Sequence, residues 1–410
     1  MNQTLQTLKG FRDFLPAEKR ARDYVSAKIV KTFQRFGFEP LETPTLEYAE
    51  LLLGKYGKEA DQLVYSFKDR GDRNVALRYD QSVPTARVLA QYQNELGKGF
   101  RRYQIQNVFR ADKPQKGRYR EFCQCDADIF GVTSPLADAE ILAVYAAIYQ
   151  DLGFSNLTIK INDRKILFDT LTSYATDLVS VFSIIQSIDK LDKQSVDDVV
   201  SELVNKGLKL AVAQEAIAKL QKSKATENLT EIMDATIKLG VPKSMLEFSP
   251  TLARGLDYYT GMIFEGVIPG MSGSVGGGGR YDNLIKTLGG PQIAAVGFGL
   301  GFDRTVEAAM ESGLVKTENS TQVLVSIFST ELQNESLRIV TELRRFGINA
   351  ELYPDANDKL EKQLKYADKK EIQFVVIAGE DEVKRGVVKV KNLKKKEQKE
   401  IALKDIRKAL

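Results

Sequence analysis

The sequence predicts a multidomain protein that combines α/β and α+β architecture. Three observations favour this class. Strand-forming residues flank a basic loop within 101–130, and helix-forming residues with almost no glycine or proline cover 164–243. After residue 321, strand and helix patterns alternate regularly, as they do in compact α/β domains. A chain of 410 residues is long enough for two or three domains, each with its own core.

The composition excludes several kinds of chemistry. The chain contains no histidine, so a histidine general base, a histidine partner for a nucleophile and histidine metal ligands are all excluded. Cys123 and Cys125 are too few for a zinc site and too close on one strand for a disulfide, so we predict buried thiols. No segment is apolar enough to be a leader or to cross a bilayer, and we expect a cytoplasmic protein without membrane association.

Up to residue 316 the predicted helices and strands follow one another in an irregular order. Pro16 suits the first position of a helix, and Gly37 ends that helix. The later elements are a hairpin at 63–79, helices at 83–96 and 136–151, a strand at 157–161, short helices within 164–243, strand character at 252–267, a strand at 294–299 and a helix at 302–312. On glycine content alone, the run at 276–279 is also compatible with a flexible loop.

The last 90 residues have a different pattern, which follows a short polar linker at 317–321. Their strands and helices alternate: strands at 323–328, 350–353 and 374–378, helices at 331–346 and 359–369. This order predicts a compact α/β domain with a mainly parallel sheet. Residues 384–408 carry 11 basic and 3 acidic side chains, which fits a nucleic-acid contact and equally well a solvated, lysine-rich hairpin.

The strand after the basic loop has two chemically different faces, because side chains alternate along a strand. The face that contains Cys123, Cys125, Ala127 and Ile129 is small or apolar and is typical of a core. The other face carries Phe122, Gln124, Asp126 and Asp128. A solvated face seldom needs an aromatic ring in register with carboxylates, so we interpret this face as a binding site.

Five stretches, taken in order, resemble those of a known enzyme family. Residues 38–47 with Pro44, 109–122 and 297–304 resemble the three signature motifs of class II aminoacyl-tRNA synthetases. Residues 252–261 and 278–282 resemble the two histidine-specific motifs of histidyl-tRNA synthetases. The resemblance implies an antiparallel-sheet catalytic core at 1–163 and 244–316, a helical insertion domain at 164–243 and an anticodon-binding α/β domain at 321–410.

The implied activity is ATP-dependent ligation of histidine to its cognate tRNA through a histidyl-adenylate. The resemblance also implies Mg²⁺ with the ATP, contacts to the acceptor end and anticodon of tRNA, and a homodimer with Pro44 near its interface. The attacking carboxylate is already ionised at neutral pH, so the first step needs no general base. The alternative is a catalytically inactive regulatory or RNA-sensing subunit, which is disfavoured because the chain keeps the motif residues and the C-terminal domain.

Matching the motifs residue by residue gives a set of expected roles. The catalytic arginines are Arg110, Arg254 and Arg304. The ATP-binding residues are Arg110, Asp112, Arg118, Phe122 and Arg304. The histidine-binding residues are Asp80, Ser82, Gln124, Asp128, Tyr258, Tyr259 and Tyr281. No metal ligand is assigned, and Asp126 has no expected role. An ordinary surface ion pair stays an open alternative for Arg118, as does an ordinary aromatic core for Tyr258 and Tyr281.

Overall fold

The computed structural model describes residues 5–54, 61–115, 117–254, 258–271, 273–315, 319–408 and 410. Lys116 of the basic loop, residues 255–257 of one matching stretch and residues 317–318 of the linker therefore lie outside the described residues. The chain divides into two compact units, Met1–Phe14 with Ala21–Val315 and Leu15–Arg20 with Lys316–Leu410. No helix among the described residues is both long and apolar enough to cross a membrane.

Eleven strands and eleven α-helices belong to the first unit among its described residues, except that residues 16–20, the start of α1, are assigned to the second unit. The strands are β1 (Glu39–Pro40), β2 (Leu46–Tyr48), β3 (Ser66–Lys68), β4 (Asn74–Leu77), β5 (Arg101–Phe109), β6 (Glu121–Phe130), β7 (Thr158–Asp163), β8 (Leu246–Phe248), β9 (Met262–Val267), β10 (Gly276–Arg280) and β11 (Ala295–Gly301). The helices are α1 (Pro16–Arg35), α2 (Ala49–Leu52), α3 (Ser82–Gln91), α4 (Pro135–Leu152), α5 (Arg164–Leu171), α6 (Val181–Ile188), α7 (Val196–Lys206), α8 (Leu210–Gln221), α9 (Glu227–Lys238), α10 (Leu284–Thr287) and α11 (Phe302–Glu311).

Eight of these strands form one sheet in the order β1-β5-β6-β11-β10-β9-β7-β8. Only the outermost pairs at each edge, β1 with β5 and β7 with β8, are parallel. The central strands are antiparallel throughout. The predicted class, a mixed fold with an antiparallel-dominated core, is confirmed. A separate antiparallel sheet is formed by β2, β4 and β3.

The apolar side of the large sheet is covered by α4, and this packing confirms the predicted division of β6. Ser134 caps α4 by accepting a hydrogen bond from the Leu136 amide, and Gly153 ends the helix with a φ of 98°. Tyr145 of α4 packs edge-on against Phe264 and Phe298 of the sheet. Cys123 and Cys125 are free thiols buried in the same core, and burial raises the pKa of Cys123 to about 12.

Two predictions for the first unit need correction or completion. The glycine run at 276–279 is strand β10, paired on both sides, and is not a flexible loop. The predicted strand at 252–267 begins only at Met262, because Leu252, Ala253 and Arg254 have no strand structure. The helix-forming stretch contains α5 to α9, but its limits as a separate domain stay a prediction, since the structure places all of it in the first unit.

The second unit is built around one five-stranded sheet. Its strands are β12 (Val323–Val325), β13 (Ala350–Leu352), β14 (Phe374–Ile377), β15 (Val387–Asn392) and β16 (Glu397–Ala402), and its helices are α12 (Gln333–Arg345), α13 (Leu360–Lys369) and α14 (Glu380–Arg385). The prediction of a mainly parallel sheet was wrong. In the order β13-β12-β14-β15-β16 the first two pairings are parallel and the last two are antiparallel. The chain turns back at Gly386 and again before β16, so the lysine-rich segment forms a hairpin.

A buried ion pair anchors the end of β10 to α4. The Arg280 Nε lies 3.1 Å from both carboxylate oxygens of Asp138, and Arg280 Nη1 also donates to the Val132 carbonyl at 3.0 Å. The two side chains are only 10% and 2% exposed. Burial raises the pKa of Asp138, and the contact with Arg280 opposes that rise. The pair holds the residues that follow β10 in place.

We expect Asp138→Asn to lower the free energy of unfolding by ~3–5 kcal/mol, because it leaves the buried Arg280 charge without its partner. Urea unfolding followed by circular dichroism measures the change. The matched control is Asp169→Asn, which breaks the exposed pair with Lys165 and should change the free energy of unfolding far less. Equal effects of the two substitutions would contradict this account of Arg280.

Candidate active site

On the polar face of the large sheet, alternate residues of β10 and β11 are glycines, so this part of the sheet carries no side chains. We call this surface the glycine floor. Gly297, Gly299 and Gly301 of β11 alternate on this face, and the register pairs Gly279 and Gly277 of β10 with the first two. The floor is open at its centre, since Gly299 is exposed and Gly277 is partly exposed. Because neighbouring strands lie about 4.8 Å apart, these two strands leave a groove roughly 10 Å wide between the side chains of β6 and β9.

One wall of the groove consists of β6 and β5. The register places Asp128 beside Gly297, Asp126 beside Gly299 and Gln124 beside Gly301. On the other side of β6, Arg102, Gln104 and Gln106 of β5 stand opposite Asp128, Asp126 and Gln124 in the same order. The polar face predicted for β6 is thus one half of a polar surface that β5 and β6 form together.

Asp128 lies at the closed end of the groove in a buried polar cluster. Its Oδ2 lies 2.6 Å from Nη2 of Arg102, and the Tyr281 hydroxyl donates to its Oδ1. All three side chains are nearly inaccessible to solvent. Burial raises the pKa of Asp128, while the Arg102 charge and the Tyr281 hydrogen bond lower it. Tyr281 therefore positions Asp128 and is not simply an aromatic wall.

Two neighbouring acceptors on β6 have no partner. Gln124 Oε1 is buried without a hydrogen bond, although the Gln124 backbone carbonyl accepts from Gln81 Nε2 at 3.1 Å. Among the hydrogen bonds and ion pairs of the described residues, none involves the Asp126 carboxylate, and this residue is only 8% exposed. Burial, with Asp128 and Asp80 nearby, raises the pKa of Asp126 to about 7 against the opposing charges of Arg102 and Arg110.

The opposite wall carries Arg254 and Glu265. Glu265 of β9 stands beside Gly277, and its Oε2 lies 3.7 Å from Nε of Arg254. A Cβ atom on Gly277 would collide with the Arg254 guanidinium, so that group lies directly over the floor. An arginine and an unpaired carboxylate, Asp126, therefore face each other across the two central glycines.

The open end of β6 brings together Arg110 and Phe122, two of the residues expected to bind ATP. The Arg110 guanidinium lies 5.1 Å from the centre of the Phe122 ring and 4.3 Å from that of Tyr79, and its Nε donates to the Tyr79 carbonyl. Cation–π contacts of this kind hold the guanidinium in one orientation. The planar group is thereby presented with a fixed direction, which suits recognition of a phosphate.

An ion pair between Arg118 and Asp112 helps to hold the conformation of the basic loop. Arg118 Nε lies 3.3 Å from Oδ2 of Asp112, which is buried, while the Arg118 side chain is 58% exposed. Arg120 supports the loop through hydrogen bonds to the backbone of Asp112 and Gly10. For Arg118, an ordinary surface ion pair was the alternative to ATP binding, and the structure does show Arg118 paired with Asp112.

Arg304 projects from the first turn of α11 and is exposed. Its Nη1 donates to the Ser274 carbonyl at 2.8 Å, in the loop that precedes β10. Gly301, the last residue of the floor, directly precedes this helix, so Arg304 stands at the same end of the groove as Gln124 and the start of β6.

The remaining predicted residues border the groove from two loops. Asp80 accepts hydrogen bonds from the amides of Ser82 and Val83, which begin α3. Tyr259 lies over Gly279 and helps to close the deep end, while Tyr258 is exposed with its ring centre 4.3 Å from that of Tyr259. Both tyrosines also line a cavity of about 540 Å³ against α5, but the polar residues of β6 do not line that cavity, so we place the site on the glycine floor.

Sequence reasoning missed Arg102, Glu265 and the glycine floor. The signal for Arg102 was present, because Arg102, Gln104 and Gln106 alternate with Tyr103 and Ile105 as the polar face of β5. The register that places Arg102 opposite Asp128 comes from strand pairing, which one sequence does not specify.

Comparisons with known proteins cover almost the whole chain. A family model described as histidyl-tRNA synthetase matches residues 10–305, and one described as an anticodon binding domain matches 322–410. A protein of Cytophaga hutchinsonii named histidine--tRNA ligase is 38% identical, over 97% of each chain. One of the same name from Rhodopirellula baltica is 38% identical, over 97% of this chain and 95% of its own. The crystal structure of histidyl-tRNA synthetase from Nostoc sp. PCC 7120 superposes with a TM-score of 0.86 at 30% identity, covering 99% of both chains.

We expect Gly299→Ala to weaken binding of histidine, the amino acid that the resemblance implies, by about 10- to 100-fold. A Cβ atom there would lie 3.2 Å from Asp126 Oδ1 and otherwise project into the open groove. The backbone at Gly299 has no positive φ, so the fold should be unaffected. Isothermal titration calorimetry measures the affinity, and thermal unfolding checks the fold.

Gly97→Ala is the matched control, because a Cβ atom on Gly97 meets nothing within 4 Å and its backbone also has no positive φ. That variant should bind histidine like the unaltered protein. Unchanged affinity in Gly299→Ala would show that the amino acid does not lie on the glycine floor.

Proposed function

The chain belongs to the histidyl-tRNA synthetase family, and we propose that it joins L-histidine to its cognate tRNA in two steps on the glycine floor. ATP first activates the amino acid as histidyl-adenylate, and the amino acid then passes to the 3′-terminal adenosine of the tRNA. The observation that carries this proposal is the groove itself, in which arginines and unpaired acceptors surround a floor free of side chains. The alternative of an inactive regulatory or RNA-sensing subunit is not favoured.

The first step requires charge neutralisation and alignment, and not proton transfer. The histidine carboxylate attacks the α-phosphorus of ATP, forming the acyl–phosphate bond as pyrophosphate leaves. Arg110, held between Tyr79 and Phe122, is placed to bind the α-phosphate, and Phe122 offers a stacking surface for adenine. Arg304 at the open end would hold the γ-phosphate, with Asp112 and Arg118 of the loop as further ATP contacts. Preorganised charges of this kind supply most of the stabilisation in phosphoryl-group chemistry.

Arg254 is the residue we assign to the reacting carboxylate. Its guanidinium lies over Gly277, so it reaches the centre of the groove and can contact both the histidine carboxylate and the α-phosphate. Asp128 and Tyr259 at the deep end would bind the two nitrogens of the imidazole ring, while Tyr258 borders the pocket. Sites that hydrogen-bond a substrate group reject analogues without it by about 10⁴–10⁵-fold, so no editing domain is needed.

Mg²⁺ would enter this site together with ATP. Among the described residues, no group of three acidic or cysteine side chains is arranged to hold a metal ion. Magnesium is typically bound by substrate phosphates and water with only one or two carboxylates. When bound, the ion would neutralise charge on the phosphates of ATP.

The second unit would bind the anticodon. It contains the basic hairpin of β15 and β16, which supports contact with phosphates, and we place candidate contacts within 384–408. We assign the catalytic core to 1–163 and 244–316, the insertion domain to 164–243 and the anticodon domain to 321–410. The enzyme would work in the cytoplasm, where its tRNA and ATP are found.

A homodimer would cover an exposed apolar face of the small sheet. Strand pairing aligns Tyr48, Val75 and Phe67 in one row and Leu46 with Leu77 in the next, all on one face. Leu46, Tyr48 and Phe67 are about half exposed. Exposed apolar clusters of this kind mark interaction sites, and this one follows directly on Pro44.

We expect histidine to be the only one of the twenty amino acids that supports ATP–pyrophosphate exchange and aminoacylation. Arg254→Ala should reduce the rate constant of exchange by about 10²–10³-fold while ATP still binds, because a charge that stabilises the transition state is lost. Arg35→Ala, which removes an exposed arginine paired with Asp151, is the control. Tight binding of ATP without exchange in the unaltered protein would instead support the regulatory alternative.

We expect the double variant Leu46→Lys, Phe67→Lys to sediment as a monomer in analytical ultracentrifugation, while the unaltered protein sediments as a dimer. Both side chains are exposed within one chain, so the substitutions should hardly change its unfolding. The control is Leu178→Lys, at an exposed leucine in the helical stretch. A monomeric unaltered protein would refute the proposed interface.

A further inference from the structure

A cluster of ion pairs ties the first turn of α11 to the N-terminal segment of the chain, residues 8–14. Asp303, the residue before Arg304, accepts a hydrogen bond from Arg12 Nη2 at 2.9 Å and another from Arg22 Nη1 of α1. The side chains of Arg12, Arg22 and Asp303 are only 23%, 13% and 13% exposed. Largely buried ion pairs add little net stability, so the position of this cluster is more informative than its energy.

Arg12 makes a second contact with the face of its guanidinium. The guanidinium carbon lies 3.3 Å from the centre of the Tyr119 ring, which belongs to the basic loop. Because the guanidinium is planar, it can stack on a ring through its face and pair with a carboxylate through its edge, which a lysine ammonium cannot do. One side chain, Arg12, therefore connects the basic loop to the first turn of α11.

The backbone of the N-terminal segment is also attached to the basic loop. The Gly10 carbonyl accepts from the Arg120 amide at 2.9 Å, and the Lys9 carbonyl accepts from Arg120 Nη1 at 3.3 Å. Gly10 has a φ of 92°, and a Cβ atom on it would lie 2.9 Å from the Arg120 side chain. Glycine adopts this conformation without strain and permits the close approach. The segment and the loop are thus joined by backbone and side-chain contacts.

The charges of the cluster do not cancel. Two guanidinium groups converge on the single carboxylate of Asp303, which leaves one positive charge in excess. The guanidinium carbons of Arg12 and Arg22 lie 4.9 Å and 4.0 Å from the centre of the Phe14 ring, and contact with the electron-rich face of a ring stabilises a cation. The excess positive charge lies at the end of α11 that carries Arg304, so it favours binding of an anionic group there.

Resting on the proposed function, we propose that Arg12 is a positioning residue for ATP. Tyr119 directly follows Arg118, which would contact ATP from the basic loop. Asp303 directly precedes Arg304, which would hold the γ-phosphate. By contacting Tyr119 and Asp303 at once, Arg12 sets the distance between two segments that bind different parts of the same nucleotide. Arg12 itself does not contact the nucleotide.

The first test is calorimetric titration with MgATP in the absence of histidine. We expect Arg12→Gln to weaken ATP binding by about 10-fold, because the stacking and the ion pair that order the two segments are lost. Histidine binding without ATP should be unchanged. In pyrophosphate exchange, the KM for ATP should rise while the KM for histidine stays constant. A merely structural role would instead weaken both ligands, or lower the temperature of thermal unfolding without changing ATP affinity.

A double-mutant cycle tests whether Arg12 acts through Tyr119. Tyr119→Leu should also weaken ATP binding, and its combination with Arg12→Gln should bind ATP no more weakly than Arg12→Gln alone, since both changes remove the same connection. Tyr119→Phe keeps the ring and should bind ATP normally, whereas Arg12→Lys should behave like Arg12→Gln. Because Tyr119 is only partly buried, its variants provide the test even where Arg12→Gln fails to fold. Additive effects of the two substitutions would overturn the proposal.

Arg35→Gln is the matched control, because Arg35 combines the same two kinds of contact. Its Nη2 lies 2.7 Å from Asp151 Oδ2, and its guanidinium carbon lies 5.8 Å from the centre of the Phe36 ring. This variant should bind ATP and histidine like the unaltered protein. Unchanged ATP affinity in Arg12→Gln would overturn the proposal. Failure of the proposed function is seen separately, as absence of histidine-dependent pyrophosphate exchange in the unaltered protein, and the ATP titrations do not depend on that exchange.

Discussion

The absence of side chains from one face of β10 and β11 is the constraint on which the site depends. The apolar face of this sheet is covered by α4. On the other face, Gly277 and Gly299 leave backbone exposed between two walls of charged and polar groups. The glycine strand is held in this position by pairing on both sides and by the Arg280–Asp138 ion pair at its end. The space for substrate is therefore built into the strand pairing and not left to a mobile loop.

Three carboxylates share this surface, and the structure treats them differently. Asp128 is neutralised by Arg102 and hydrogen-bonded to Tyr281, whereas Asp80 caps the start of α3. Among the described residues, no hydrogen bond or ion pair involves the Asp126 carboxylate, which is buried. Unsatisfied polar groups of this kind are uncommon in folded proteins and concentrate at binding sites, where they are satisfied only by the ligand.

The sequence predicted the composition of the site better than its geometry. The alternation of side chains along β6 correctly assigned Cys125 to one face and Asp126 and Asp128 to the other, because a period of two is a property of any strand. It could not place Arg102 beside Asp128, since register depends on pairing between strands distant in the chain. The glycine run at 276–279 was ambiguous for a related reason. Glycine has a low strand propensity, and β10 is a strand only because β9 and β11 pair with it. In the second unit, alternation of strands and helices predicted the elements but not the antiparallel pairing of β15 and β16.

A chain without histidine can carry out this reaction because its first step moves charge and not protons. The nucleophile is a carboxylate, the leaving group is pyrophosphate, and the groups arranged around the floor are arginines with unpaired acceptors opposite them. In the proposed complex, Arg254 would hold the carboxylate of the amino acid over the centre of the floor, so that binding would also align the reacting group. The carboxylate would then face the end of the groove where Arg110 and Arg304 would hold ATP. Selection of the amino acid by Asp128 and orientation of its carboxylate by Arg254 would thus use neighbouring rows on one face of the sheet.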